Sequence, residues 1–392
     1  MGRLTFTLCL LLATTLLASA EQKSFRGFQL VFVYSRNLDD VKFLGQLRDD
    51  YVNIDFWREA TPGHNATVMV PPTLLNIFKN KLDQQGISYV IMVNDVQKMV
   101  DAGSVRTPDE EVTKRCLESG TIGDHTNYHT YEQIVSFLEV LQSAYPRLIN
   151  VSHLKHQTHE GRAVHTVKLS GAARSRKKAI IIEAGMHARE WISPATVLWV
   201  IEKNRMWRKN KRYISSRCTG VDLNRNFKAR WGTTGISTNC ASDIYPGTGP
   251  FSEPETANIR DLFNGIRYKV LAYLSVHAYS QLLLVPWGYT KYLSLPPNAA
   301  ELNRVAYKMW KALKGKHGSH YEFGTAWEVL NYAAAGTSKD WALRRSRNIY
   351  SMSFELRPTE DNPVGFLLPP SEIVPTAEEF YESLRAMAPE LK

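Results

Sequence analysis

His187 and Glu190 stand three residues apart in "GMHAREW", where an apolar, β-branched run, "KKAIIIEAG", gives way to the helical pattern "SPATVLWVIEK". An imidazole and a carboxylate at that spacing can grip a metal ion. They do not complete a site, because a catalytic zinc takes three protein ligands and keeps one position open. His277, in "YLSVHAYSQ", ends another apolar strand and is the natural third donor. Sites in open α/β sheets gather beyond the carboxyl ends of strands, so the two strand-end contexts agree. Glu355 in "FELR" puts a carboxylate into an otherwise apolar strand, which is costly unless the group is paired or used. "NRMWRK" offers Arg205 and Arg208, and "GVDLNRNF" offers Asp222, Asn224 and Arg225. Read singly, these are a chance pair, a structural histidine, surface arginines and a buried ion pair. Read together, they are anion donors and a general base around a metal.

These residues need a scaffold. From about Cys116 onward the pattern alternates. "YEQIVSFLEVLQSAYP" reads as a helix, and "AVHTVKLS" and "KAIIIEAG" read as strands. Ser193 and Pro194 read as N-cap and first turn of the next helix, and Ser252 with Glu255 as a capping box. "KVLAYLSVHAYSQLLLVPW" and "YSMSFELR" read as buried strands, and the end is helical. Such alternation predicts an α/β domain, its sheet mixed and mostly parallel with helices on both faces. Before it, residues 21–115 read as a small α+β domain of order β-α-β-β-α-β with an antiparallel sheet. There Asn37 is the expected cap of a helix whose inner face carries Val41, Leu44 and Leu47. A second helix should bury Leu74, Ile77, Phe78 and Leu82 and stop at Gly86.

At 392 residues and 44% apolar composition the chain can fill more than one core, and its formal charge of +10 fits a basic protein. No dense Lys/Arg helix or RNA-type aromatic motif accompanies that charge, so no nucleic-acid partner is expected. Arg3, the apolar run Leu4–Leu17 and the small residues up to Ala20 form a signal peptide, residues 1–20, and imply secretion. No later run is long enough for a membrane span. Cys9 leaves with the signal. Cys218 and Cys240 bracket a Gly/Ser/Thr-rich loop and are the expected disulfide, which leaves Cys116 odd. The polar stretch around Arg106, Lys114 and Arg115 reads as a protease-sensitive connection.

The motifs "HAREWISPA", "NRMWRK", "GVDLNRNF", "SVHAYSQLLLVPWGY" and "FELR" with "GFLLP" together resemble the secreted zinc metallocarboxypeptidases of the carboxypeptidase A/B family. "DFWREATPGH" and "ISYVIMVNDVQ" resemble that family's propeptide. The resemblance implies a monomeric zymogen with one zinc per chain, divided into signal 1–20, propeptide 21–115 and catalytic domain 116–392. A trypsin-like protease would activate it, most simply after Arg115. The products would come from peptides or proteins with a free C-terminus. It implies His187, Glu190 and His277 as zinc ligands, and Asp222 as the carboxylate that orients a zinc histidine. Glu355 resembles the base that deprotonates the attacking water and passes the proton to the leaving amine. Arg208 resembles the group that stabilises the oxyanion. Asn224 and Arg225 resemble the clamp on the substrate's terminal carboxylate, Tyr332 the mobile tyrosine that closes over it, and Arg189, Arg205 and Tyr279 the lining of upstream subsites.

Two departures from the family matter. Its members carry several tens of residues, including a central strand, between the helix after the zinc motif and "NRMWRK"; here "SPATVLWVIEK" runs straight into it, a deletion near 202–204. Losing a central strand leaves its neighbours' backbone groups unpaired, so a break in the sheet is expected. One reading is an active carboxypeptidase. The other is a catalytically impaired splice form or incomplete gene product that binds peptides or proteases. The second departure is Lys339 in "GTSKDW", at the position that resembles the floor of the pocket for the C-terminal side chain. An ammonium there would favour terminal Glu or Asp and repel basic residues.

Overall fold

The computed structural model describes residues 23–51, 53–102, 127–170, 178–197, 206–292 and 295–391. The signal segment, the connection with Cys116, and Arg205 lie outside the described residues.

The N-terminal unit runs β1 (Gln29–Val33), α1 (Leu38–Asp50), β2 (Asp55–Arg58), β3 (Ala66–Val70), α2 (Leu75–Gln84), β4 (Tyr89–Val93) and α3 (Val96–Ala102). Its strands order β2-β3-β1-β4, and every pairing is antiparallel. Asn37 caps α1 by accepting from the Asp39 and Asp40 amides. Side-chain alternation sorts the sheet into two faces. Val31, Val33, Phe56, Val68 and Val70 meet Leu44, Leu47, Phe78 and Leu82 of the helices. Leu30, Trp57 and Met69 point the other way, into the core of the larger unit. All five residues of β3 are buried, as a strand covered on both faces requires. Ile77 is 43% exposed, which corrects the expectation that it is buried: the inner face of α2 is carried by Phe78 and Leu82.

The larger unit contains α4 (Tyr131–Ala144), β5 (Ile149–His153), β6 (His165–Leu169), β7 (Ala179–Ala184), α5 (Ile192–Val197), β8 (Tyr213–Ser215) and β9 (Cys218–Thr219). After these come α6 (Pro254–Ile266), β10 (Val270–Ser280), β11 (Leu282–Val285), α7 (Ala299–His317) and β12 (Glu322–Thr325). The chain closes with α8 (Ala326–Leu330), α9 (Ser338–Arg345), β13 (Tyr350–Thr359) and α10 (Ile373–Met387). Among the described residues the main sheet orders β12-β11-β13-β10-β7. Only the β11–β13 pairing is antiparallel. The expected mixed, mostly parallel sheet is therefore present.

Alternation again assigns the faces. Leu274, Val276, Met352, Phe354 and Leu356 are buried and apolar, and Phe354 meets Phe380 of α10. On the opposite face Tyr273 packs on Phe263 of α6, and Ser351 donates to the Lys339 carbonyl in α9. That face also carries Ser275, His277, Ser353 and Glu355. One side of the sheet is thus a greasy floor, and the other is a polar bench backed by two helices.

Two local expectations fail. Ser193 lies inside α5 rather than capping it, and its hydroxyl donates to the Val276 carbonyl, tying the helix to β10. Ser252 and Glu255 form no capping box. Glu253 is the cap residue of α6, and the Ser252 hydroxyl donates 2.6 Å to the Glu253 carboxylate instead. The Cys218–Cys240 disulfide is formed.

Among the described residues, one side of the sheet has no further strand beyond β7. β5 and β6 pair only with each other, and β7 pairs only with β10, among the described residues. Ile180 on β7 is 43% exposed and Leu169 on β6 is 74% exposed.

Candidate metal centre and active site

His187 and Glu190 occupy the turn between β7 and α5, and His277 lies near the end of β10. All three are buried, and one donor atom from each lies within 4.8 Å of the others. The Glu190 carboxylate sits between the rings, 2.6 Å from His187 Nδ1 and 2.9 Å from His277 Nδ1. The ring centroids are 5.0 Å apart. Both Nδ1 atoms converge on one point, and both Nε2 atoms face acceptors: Asp222 Oδ1 at 3.0 Å for His187, and Ser275 Oγ at 2.8 Å for His277. Two nitrogens and a carboxylate in convergence, each ring backed on its far side, suit a divalent cation of borderline softness, zinc above all.

Burial alone would raise the Glu190 carboxyl, but His187 and His277 outweigh it and hold it well below the usual range. Burial works against the His277 imidazolium, yet Glu190 pushes it up to about 9. Burial would raise Asp222 too, but Arg208, Arg225 and His187 keep it ionised. Arg208 reaches Asp222 Oδ2 at 2.9 Å and stands 3.7 Å from Glu190. Glu355 registers directly opposite His277 across the parallel β10–β13 pair, so both side chains leave the same face. Burial pushes its carboxyl up to about 8; His277 pulls it down and Glu190 adds to the rise.

Beyond the metal ligands, Arg225 donates 2.8 Å to the Gly235 carbonyl and stands 3.3 Å from the Tyr332 hydroxyl. The tyrosine hydroxyl itself donates to the Gly235 carbonyl at 3.2 Å. Gly336 makes this packing possible: at φ +76°, a Cβ there would lie 2.1 Å from the Arg225 carbonyl oxygen. Asn224 accepts from the Ser338 amide at 3.0 Å and turns its Nδ2 to within 3.3 Å of His277 Nε2. Lys339 is buried, its ammonium 3.0 Å from Asp340 and close against Gly288.

The N-terminal unit roofs this cleft. Asp55 pairs with Arg189 at 2.8 Å, Thr61 donates to the Leu330 carbonyl, and Asn331 donates to the Pro62 carbonyl. Arg189 also meets Asp243 at 3.3 Å and lies over the Phe366 ring. Burial pushes Tyr279 up to about 12, and Thr67 and Arg58 of the roof are beside it. The space left in the cleft, about 220 Å³, is lined by Trp57, Arg189, Arg208, Arg225, Asp243 and Tyr332 among others.

The sequence reading missed Glu183, Ser275, Ser338 and the carboxylate pair Asp55 and Asp243. Glu183 carried the signal that exposed Glu355, a carboxylate within an apolar strand. A further group, His159, Glu253 and Glu255, could hold a cation, but Arg212 already pairs with Glu253 at 2.7 Å.

Known proteins match this chain in sequence and in fold. The zinc carboxypeptidase family model matches residues 134–203 and 200–383, and the carboxypeptidase activation peptide model matches residues 32–103. Carboxypeptidase A1 of Rattus norvegicus is 33% identical over 415 residues, covering 96% of this chain and 96% of the relative. Carboxypeptidase A2 of the same species is 35% identical over 420 residues, with 97% of each covered. The crystal structure of thrombin activatable fibrinolysis inhibitor superposes with a TM-score of 0.80 at 28% identity, covering 94% of this chain and 99% of that one. The carboxypeptidase A of Helicoverpa armigera gives 0.78 at 26%, covering 94% and 98%. The chain belongs to the zinc carboxypeptidase family of hydrolases and carries that family's activation peptide.

Proposed function

We propose that this chain is the precursor of a secreted, monomeric zinc carboxypeptidase that removes acidic C-terminal residues. The observation that carries the reading is the convergence of His187, Glu190 and His277 beside Glu355, under a roof that closes the cleft. The proposed parts are a signal peptide 1–20, an activation domain 21–115 and a catalytic domain 116–392. A trypsin-like protease would cut the connection.

His187, Glu190 and His277 would hold one zinc ion, which when bound supplies Lewis-acid polarisation of the scissile carbonyl and of the attacking water. Glu355 takes the proton from that water and delivers it to the departing amine; its register opposite His277 on the same face of the sheet supports this role. Arg208 stabilises the oxyanion that develops at the carbonyl, a role supported by its position beside Glu190. Arg225, with Asn224, pairs the terminal carboxylate of the substrate. An internal peptide bond would bring no charge to that guanidinium, which restricts cleavage to the last residue. Tyr332, 3.3 Å from Arg225, stands where it would cover the bound carboxylate. Arg189, Arg205 and Tyr279 serve upstream residues of the peptide.

Lys339 supports the acidic preference. Its ammonium is dry and shares Asp340, so an incoming Glu or Asp side chain adds the second carboxylate that a buried cation can accept, while Lys or Arg adds a like charge. The same pair also sets a limit, since Asp340 competes with the substrate for Lys339.

The β7 edge, which has no second partner among the described residues, and the two-piece family match that meets at 200–203 support a further reading: relatives hold a segment here that this chain lacks. Under that reading the chain is a shortened product of a carboxypeptidase gene, folded but of low stability, able at least to bind peptides.

The test is zinc content together with release of the terminal residue after tryptic activation. His277→Ala should lose the metal. Glu355→Ala should keep zinc and substrate binding while turnover falls by about 10²–10⁴-fold. Among peptides ending in Glu, Phe and Arg, the Glu peptide should be cut fastest, and Lys339→Ile should reverse the order. Stoichiometric zinc in His277→Ala, or faster release of Arg by the wild type, would defeat the respective assignment.

A further inference from the structure

We propose that Glu183, acting through Ser275, is a positioning residue that fixes the orientation and tautomer of His277; this rests on His277 being a zinc ligand.

The row is built by strand register. Ser275 and His277 are two residues apart on β10, so they share a face, and Glu183 of β7 registers opposite Ser275. Glu183 accepts from the Tyr273 hydroxyl at 2.7 Å, from the Ser338 hydroxyl at 2.9 Å, and from the Ser275 hydroxyl. A carboxylate only accepts, and a serine hydroxyl has one proton to give. With that proton committed to Glu183, Ser275 Oγ turns a lone pair toward His277 Nε2, 2.8 Å away. The imidazole must then carry its proton on Nε2. That leaves the Nδ1 lone pair, on the side of Glu190, for the metal.

Something opposes this arrangement. Asn224 Nδ2 is 3.3 Å from the same Nε2. An amide nitrogen only donates, so Asn224 favours the other tautomer, whose proton would sit on Nδ1 and block the ligand lone pair. Ser275, held by Glu183, decides between the two. The result parallels His187, whose Nε2 faces the Asp222 carboxylate directly at 3.0 Å. Each zinc histidine is thus backed by a carboxylate, one in contact and one through a hydroxyl. With His277 engaged by Ser275, the Asn224 amide is released for the substrate carboxylate.

The experiment measures zinc affinity of the full chain by chelator competition for wild type, Ser275→Ala, Glu183→Gln and the double variant. Each single change should weaken zinc about 10–100-fold, the usual cost of removing a partner behind a metal ligand. The double variant should lose no more than Ser275→Ala alone, because both act on one hydrogen bond. Ser275→Thr keeps the hydroxyl and should recover most of the affinity. Singles within twofold of wild type, or losses that multiply in the double variant, would overturn the proposal. Should Ser275→Ala fail to fold, the zinc-loaded wild type decides by NMR. A slowly exchanging Nε2 proton on His277, close to the Ser275 β-protons, is expected, and its absence overturns the proposal. A wild type that retains no zinc overturns the metal reading itself, a result distinct from a defect confined to the Glu183 and Ser275 variants.

Discussion

The two sides of the catalytic sheet obey different rules. On the β10–β13 side each strand has neighbours, each face is covered, and Leu274, Val276, Met352, Phe354 and Leu356 are buried to within a few per cent. On the β7 side, among the described residues, β7 pairs with β10 alone, β5 and β6 pair only with each other, and Ile180 is 43% exposed. Yet the candidate metal group draws on both sides: His277 comes from β10, and His187 and Glu190 follow β7. The difference separates forming a site from holding it. Convergence needs only the β7–β10 pairing, whereas rigidity needs the outer edge of β7 filled as well.

The largest expected effect is in backbone protection. Inner amides of β10 and β13 should open only with global unfolding. Outward amides of β7 and both edges of the β5–β6 hairpin should open locally, exchanging about a thousandfold faster. Hydrogen exchange of the full chain measures this, and equal protection on the two sides would erase the contrast.

The next effect comes from repairing the open side. Inserting the corresponding segment of rat carboxypeptidase A1 between Lys203 and Asn204 should pair the outer edge of β7. The gain should be several kcal/mol, raising Tm by roughly 10 °C. Calorimetry showing no gain would mean that the edge is already satisfied.

Core truncations compare the sides directly. Phe354→Ala, under α10, should cost about 3–5 kcal/mol, while Ile182→Ala on half-buried β7 should cost about 1–2. Denaturant midpoints for the two variants would show it, and equal losses would contradict it.

How much was legible beforehand follows the same line. The convergence of His187, Glu190 and His277 at strand ends could be read because residue type and position both speak there. The covering of both faces of β3 could not, since an apolar run such as "ATVMV" reads alike whether its far side meets its own helices or another unit. The Ser252/Glu255 pattern misled because Asn226, which accepts from the Glu253 amide, and Asn210 and Arg212, which donate to its carboxylate, lock Glu253 into a buried network at the start of α6. Glu183 escaped notice because its partners Tyr273, Ser275 and Ser338 are distant in sequence and meet only across the sheet. For Lys339, the pairing with the next residue, Asp340, was not legible in the sequence.

The smallest expected effect lies where the roof meets the sheet, and its sign runs against the visible ion pair. Asp55 of β2 pairs with Arg189, but Asp243 reaches the same guanidinium. Two partly exposed carboxylates share one buried cation. Burial pushes the Asp55 carboxyl up to about 6; Arg189 opposes the rise and Asp243 adds to it. Once the connection is cut and the activation domain is released, Asp55 returns to an ordinary carboxylate range near pH 4. A group whose docked pKa is higher than its free one takes up a proton on docking, so docking strengthens as pH falls from about 6 toward 4. Release of the nicked activation domain should therefore be a few-fold slower at pH 5 than at pH 7.5. Asp55→Asn is neutral throughout, so it should remove this pH dependence and dock at pH 7.5 no more weakly than the wild type. Faster release at pH 5, or a marked loss of docking in Asp55→Asn, would show that the Asp55–Arg189 pair outweighs the cost of burying the second carboxylate.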